Sequence, residues 1–181
     1  MNFHKIEIGS TVNGEGIRTV LWVSGCNHRC KGCHNPQTWD EKSGYPFTEE
    51  DKEKLFKSVE DEFVSGITLS GGDPLYPNNR STISDLVKEF KEKYPNKTIW
   101  LYTGYEIKEL TNMNDFSFVD IDRVVCGKFD IDKKDSNYHW AGCTNQLIVS
   151  GQYIEMLKLW KDDAKELFNS TAYSPTGPYI I

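Results

Sequence analysis

The chain has 181 residues, 38% of them hydrophobic and 27% charged, with a formal net charge of −6. That length supports one domain with a real core, and the negative balance excludes a general nucleic-acid binder, which would carry a basic patch. No apolar run approaches the ~18 residues of a membrane span, and the N-terminus has no apolar signal core, so the expected setting is the cytoplasm, with neither membrane nor nucleic acid as partner.

Residues 18–24 form a β-rich run and predict a strand. It leads into a loop holding Cys26, Cys30 and Cys33. Residues 48–63 predict a helix, with Thr48 as cap, Asp51 as capping-box partner, and Leu55, Phe56, Val59 and Phe63 as its apolar stripe. Residues 66–70 predict a short strand that ends at Gly71-Gly72-Asp73-Pro74. The next helix is expected over 81–94, with Ile83, Leu86, Val87 and Phe90 on one face and Pro95 as its stop. A third strand spans 98–103 and ends at Gly104-Tyr105. A weaker helix starts at Glu106, a fourth strand spans 122–126 before Gly127-Lys128, and residues 146–149 allow a fifth. A terminal helix is expected over 153–168, followed by a loose tail at 174–178.

Strands alternating with helices through short linkers predict an α/β fold of parallel strands joined by right-handed crossovers. Every distinctive motif falls just after a strand, where parallel α/β architectures carry their sites. The cysteine loop, the Gly71-Gly72-Asp73-Pro74 loop, Thr103 and Lys128 are therefore expected on one rim. Residues 1–150 read as one domain, and 151–181 as a C-terminal helix and tail rather than a second domain.

Five cysteines, three of them clustered, do not make a secreted disulfide framework and point to a reducing compartment and metal ligation. With C-x3-C-x2-C spacing, Cys26, Cys30 and Cys33 can reach one metal centre and leave a fourth coordination position open. An iron–sulfur cluster held that way has one iron free to bind a small molecule. The alternative is a structural zinc with His28 or His34 as fourth ligand, although zinc ligands tend to come as two separated pairs and the sequence offers no second pair at a suitable distance. Gly71 and Gly72 let the backbone approach a ligand closely, and Asp73 offers an acceptor for an ammonium; a plain turn is the other reading. Cys126 and Cys143 read as small buried residues rather than further ligands. His28 and His34 either hydrogen-bond to cluster sulfur or keep the loop polar. Trp39, Trp100, Tyr102 and Tyr105 line a substrate groove or pack the core. Arg18 serves a ligand or partner, or else a surface salt bridge.

The cysteine spacing after a strand resembles the signature of the radical S-adenosylmethionine (SAM) superfamily, and residues 70–74 resemble its GGE motif. Asn13-Gly14-Glu15-Gly16-Ile17-Arg18, the stretch 33–39, residues 70–75 and 100–105, Gly127-Lys128-Phe129 and residues 140–146 resemble the glycyl-radical-enzyme activating proteins. They look most like the branch that serves anaerobic ribonucleoside-triphosphate reductases. The resemblance implies an open, partial (βα) barrel of the radical SAM type, shorter than a full eight-fold barrel. It implies a 4Fe–4S cluster on Cys26, Cys30 and Cys33, whose open iron binds the methionine end of SAM. SAM contacts are implied for Gly32, Cys33, His34, Gly71, Gly72, Asp73, Thr103 and Lys128, with Arg18, Trp39 and Tyr105 as candidate groove residues.

The implied reaction cleaves SAM to methionine and a 5′-deoxyadenosyl radical, which takes a hydrogen from a backbone glycine of the reductase large subunit. No side-chain acid or base is implied, and reduced flavodoxin is the implied electron donor. Two positions depart from the pattern. Glu15 stands where these activators usually have Pro, and Cys126 replaces an Asp linked in some relatives to a monovalent cation site. The rival readings are an activator of another glycyl radical enzyme such as pyruvate formate-lyase, a short radical SAM enzyme with a small-molecule substrate, and a non-catalytic metal-binding module.

Overall fold

The computed structural model of the protein describes residues 1–160. Its strands are β1 (Asn2–Ser10), β2 (Ile17–Val23), β3 (Tyr45–Pro46), β4 (Val64–Gly71), β5 (Thr98–Thr103), β6 (Arg123–Cys126) and β7 (Leu147–Val149). Its α-helices are α1 (Glu49–Lys57), α2 (Arg80–Lys93), α3 (Ile107–Leu110) and α4 (Gly151–Leu159). The strands form one seven-stranded sheet in the order β3-β1-β2-β4-β5-β6-β7. Its middle, β2-β4-β5-β6, is parallel as expected. Its edges correct that expectation: β1 is antiparallel to β2, β3 to β1, and β7 to β6.

The β1–β2 and β6–β7 corrections follow from the connections. The link from β1 to β2 is too short for a crossover, so the two strands make a hairpin. Between β6 and β7 the chain forms a single 3₁₀ turn, Ile131–Lys133, and no α-helix. It therefore re-enters the sheet from the end at which it left. β1 escapes the sequence reading because register shifts between Phe3 and Lys5, and between Glu7 and Ser10, break its alternation.

Period-two alternation divides the parallel strands between two faces. Leu21, Val23, Ile67, Leu69, Ile99, Leu101, Val124 and Cys126 join the main core with Leu55 and Phe56 of α1 and Ile83, Leu86, Val87 and Phe90 of α2. Trp100 and Val125 instead meet Ile148 in a second, smaller cluster, with Tyr102, Trp140 and Ala141 packed on it.

The Thr48 capping box forms as anticipated, with the Asp51 carboxylate accepting from the Thr48 N–H at 3.0 Å. α1 stops at Lys57, short of the expected end. There the Ser58 hydroxyl bonds the Leu55 carbonyl and Thr19 Oγ1 at 2.6 and 2.9 Å. Val59 is still buried, but Phe63 is exposed and drops out of the apolar stripe. α4 fills the first part of the expected terminal helix; its remainder and the 174–178 tail lie outside the described residues. Among the described residues no helix is long and apolar enough to cross a membrane.

Candidate functional site

The carboxyl ends of β2, β4, β5 and β6 open onto one cavity of about 590 Å³. The loop after β2 contributes Cys26, His28, Cys30, Cys33 and His34 to its wall, and the end of β4 contributes Ser70, Gly71 and Gly72. Tyr102, Thr103 and Gly104 come from β5, and Gly127 and Phe129 from the loop after β6. The cysteine loop, Gly71, Gly72 and Thr103 of the expected rim thus meet here, whereas Asp73 and Lys128 are not on the wall. Two further walls had no signal in residue type or spacing. One is the β1–β2 turn at Thr11, Val12 and Asn13; the other is the strap from Ser136 to Gly142; of these only Asn13 and residues 140–142 fall in the segments of the resemblance. At its centre Trp140 adopts a left-handed φ of 58°, costly for a non-glycine residue. The Tyr102 hydroxyl holds it by donating to the Trp140 carbonyl at 2.7 Å, and the Trp140 ring stands edge-on to Trp100.

The Asn35 N–H donates to Cys33 Sγ at 3.4 Å. Backbone N–H groups of His28 and Arg29 beside Cys26, and of Phe129 from the loop after β6 beside Cys30, favour the thiolate forms. Arg29 takes a left-handed φ of 47° at this turn. Burial nevertheless pushes the Cys26 thiol up to about 11 and raises that of Cys30, which the Phe129 N–H opposes. Such thiols become thiolates when a cationic centre compensates the buried charge. Soft sulfur donors with N–H groups aimed at them are the setting of an iron–sulfur cluster, so the residues present fit that group.

The zinc alternative finds no assembled site: of its two candidate fourth ligands, His28 is engaged elsewhere. His28 Nε2 lies 2.7 Å from the Asp73 carboxylate, and His34 packs on Phe129 with ring centroids 5.1 Å apart. Among the described residues no trio of His, Cys, Asp or Glu side chains converges as a single bound ion would require. A cubane cluster instead spreads its sulfur ligands around its corners.

Gly71 and Gly72 face the cavity, but Asp73 does not. Asp73 is 1% exposed, and its carboxylate is already engaged. Oδ1 accepts from the Leu75 N–H at 2.8 Å and the Thr103 hydroxyl at 3.0 Å, and Oδ2 accepts from the Gly104 N–H at 3.0 Å and faces His28. The expected ammonium acceptor is therefore occupied within the protein. Thr103 lines the cavity, yet its hydroxyl is turned to Asp73. Gly32 lies on the exposed turn of the loop beside Ile131, off the wall. Lys128 is exposed next to the wall residues Gly127 and Phe129.

The candidate groove is also corrected. Arg18 is fully buried below the cavity, where its guanidinium makes five hydrogen bonds, to Thr68, Glu15, Ile67 and Thr98. Tyr105 stands behind His28, edge-on at 4.7 Å, and its hydroxyl accepts from Arg80. Trp39 is half-buried under Arg29. None of the three lines the cavity. Cys126 is sealed in the main core, its thiol pushed up to about 12 by burial, and Cys143 is buried with its sulfur accepting from the Asp130 N–H at 3.3 Å.

Residues 12–149 match the family described as a 4Fe-4S single cluster domain. The chain is 41% identical over 150 residues to the anaerobic ribonucleoside-triphosphate reductase-activating protein of Vibrio cholerae, covering 82% of this chain and 97% of that one. To the protein of the same name from Enterobacteria phage T4 it is 37% identical over 163 residues, 90% of this chain and all of the other. To that of Escherichia coli K12 it is 42% identical over 151 residues, 82% and 97% of the two chains. Since the matched span runs from the β1–β2 turn through β7 and contains the whole cysteine loop, the chain belongs to the family of anaerobic ribonucleoside-triphosphate reductase-activating proteins.

Proposed function

We propose that the protein activates an anaerobic ribonucleoside-triphosphate reductase by forming a radical from SAM and passing it to a backbone glycine of that partner. The observation that carries the reading is the meeting of Cys26, Cys30 and Cys33 with the strand end Gly71–Gly72 in one cavity, in a chain of this family. When bound, a 4Fe–4S cluster with one open iron supplies the electron that splits SAM into methionine and the 5′-deoxyadenosyl radical.

The chain's own residues bind and orient. Cys26, Cys30 and Cys33 would hold the cluster, with backbone N–H groups moderating the charge on each sulfur. The backbone of Gly71 and Gly72 is open to the methionine end of SAM, and Cys33 and His34 lie on the same wall. The cavity, at about 590 Å³, matches the ~300–1,000 Å³ of small-molecule sites. No side chain need move a proton, because the hydrogen passes to the adenosyl radical. The protein's task is alignment.

The sheet ends at β3 on one side and β7 on the other. We read this as the open partial barrel of radical SAM proteins, which leaves a protein loop room to reach the radical. Reduced flavodoxin, in a cytoplasmic setting, is the proposed electron source. The deciding experiment mixes anaerobically reconstituted, reduced protein with SAM and the cognate reductase. Electron paramagnetic resonance (EPR) should then show a glycyl radical doublet on the reductase. A doublet on pyruvate formate-lyase instead would move the target, and SAM left intact after reduction would sink the reading.

A further inference from the structure

We infer that His28 and Asp73 form a clasp that fixes the spacing between the cysteine loop and the Gly71–Gly72 shelf, and so sets how SAM is seated. The inference rests on the functional reading above and concerns two residues that this reading leaves without a task.

At their base the two loops are joined by backbone. The Gly72 and Asp73 N–H groups bond the carbonyls of Val23 and Gly25 at 2.8 Å, while the Gly25 and Cys26 N–H groups, bonded to the Thr38 and Trp39 carbonyls at 2.8 and 3.1 Å, close the cysteine loop on itself. Further out, the span between Cys26 and Cys30 reaches across through His28. A carboxylate only accepts, so Nε2 donates to Asp73 Oδ2, at 2.7 Å. Both side chains are almost fully buried, at 8% and 2% exposure, where a hydrogen-bonded charged group is well directed and costly to leave unpaired.

The ring has little freedom. Tyr105 stands edge-on to one side of it, and a Cβ on Gly104 would run into it. Asp73 is equally fixed, by Leu75, Thr103 and Gly104. Three strand ends therefore meet at one carboxylate: the loop after β2 through His28, the turn after β4 that carries Asp73 itself, and the end of β5 through Thr103 and Gly104.

These loops present the two halves of a single ligand site. Cys26, Cys30 and Cys33 lie on one, and the shelf for the methionine end of SAM lies on the other. If the loops could move against each other, only the fraction of molecules with the correct spacing would bind SAM, and the apparent affinity would fall by that fraction. His28 and Asp73 are thus positioning residues, acting through the loops they join rather than through contact with the reacting atoms.

The test uses reconstituted full-length protein carrying His28→Ala, His28→Gln, Asp73→Asn, or His28→Ala with Asp73→Asn. Each variant should keep the iron and sulfide content of the parent. In His28→Ala the KM for SAM should rise about tenfold with kcat changed less than about threefold, as expected when binding competence and not chemistry is lost. The SAM-induced change in the EPR spectrum of the reduced cluster should need correspondingly more SAM. His28→Gln, whose amide can still donate to Asp73, should recover most of the loss. The double variant should be no worse than the worse single one, because one interaction is removed in both.

Unchanged SAM titrations, effects that multiply in the double variant, or a Gln variant no better than Ala would each overturn the clasp. Loss of iron and sulfide from any variant would assign the pair to cluster retention and overturn it as well. If the parent itself shows no SAM-dependent change in its spectrum, the functional reading fails, an outcome distinct from failure of the clasp.

Discussion

Arg18 carries a full guanidinium into the layer beneath the cavity, where it ties β2 to β4 and β5. Nη2 donates to the carbonyls of Ile67 and Thr98 at 2.6 and 2.9 Å, and Nε to Thr68 Oγ1 at 2.7 Å. The Thr68 hydroxyl in turn donates to the carbonyl of Asn13, a cavity residue. Burial lowers the Arg18 pKa to about 10, which leaves the group charged at neutral pH. Removing it strands several buried acceptors at once. Arg18→Ala should cost about 3–5 kcal/mol in denaturant unfolding of the cluster-free protein, and Arg18→Lys, which lacks the planar fork, should restore only part. At this scale the sequence was readable where chemistry is local. The spacing of Cys26, Cys30 and Cys33 puts all three on one loop, and all three line the cavity. Direction was not readable: Arg18 and Asp73 have side chains suited to a ligand site, yet burial and partners within the protein engage both, whereas Cys126 is buried as its size suggested.

Elements were legible in proportion to how little they depend on distant partners. The α1 capping box and the apolar face of α2 are contained in their own residues, and both form as expected. β1 depends on bulged pairing with β2, and the direction of β7 depends on how a loop without a helix returns; neither dependence is written in a local pattern. The seam between β4 and β5 has a similar hidden requirement. Gly66 has a φ of 151°, and a Cβ there would run into the Thr98 carbonyl. Gly66→Ala should force the two strands apart at the level where Arg18 binds Thr98. We expect a loss of about 3 kcal/mol, combining overpacking with left-handed backbone strain, read as a lowered thermal midpoint of the cluster-free protein.

At the scale of the whole molecule, four parallel strands carry both the core and the site. The expected convergence of strand ends held because it follows from parallel topology alone. The site's outer walls, at the β1–β2 turn and the strap around Trp140, depend on long-range packing and were not legible from residue type. The two-faced sheet has a consequence for how the protein tolerates change. Positions 67, 69, 99 and 101 point into the main core, whereas 70 and 102 line the cavity. A saturation-mutagenesis scan scored once for abundance in the cell and once for reductase activation should therefore show stripes along β4 and β5. Polar substitutions at the first set should lower both scores, and substitutions at the second should lower activation while abundance holds. Neighbouring codons in one strand would then answer to different selective pressures, one for persistence of the molecule and the other for its chemistry, so the lineage can alter the cavity while its scaffold stays fixed.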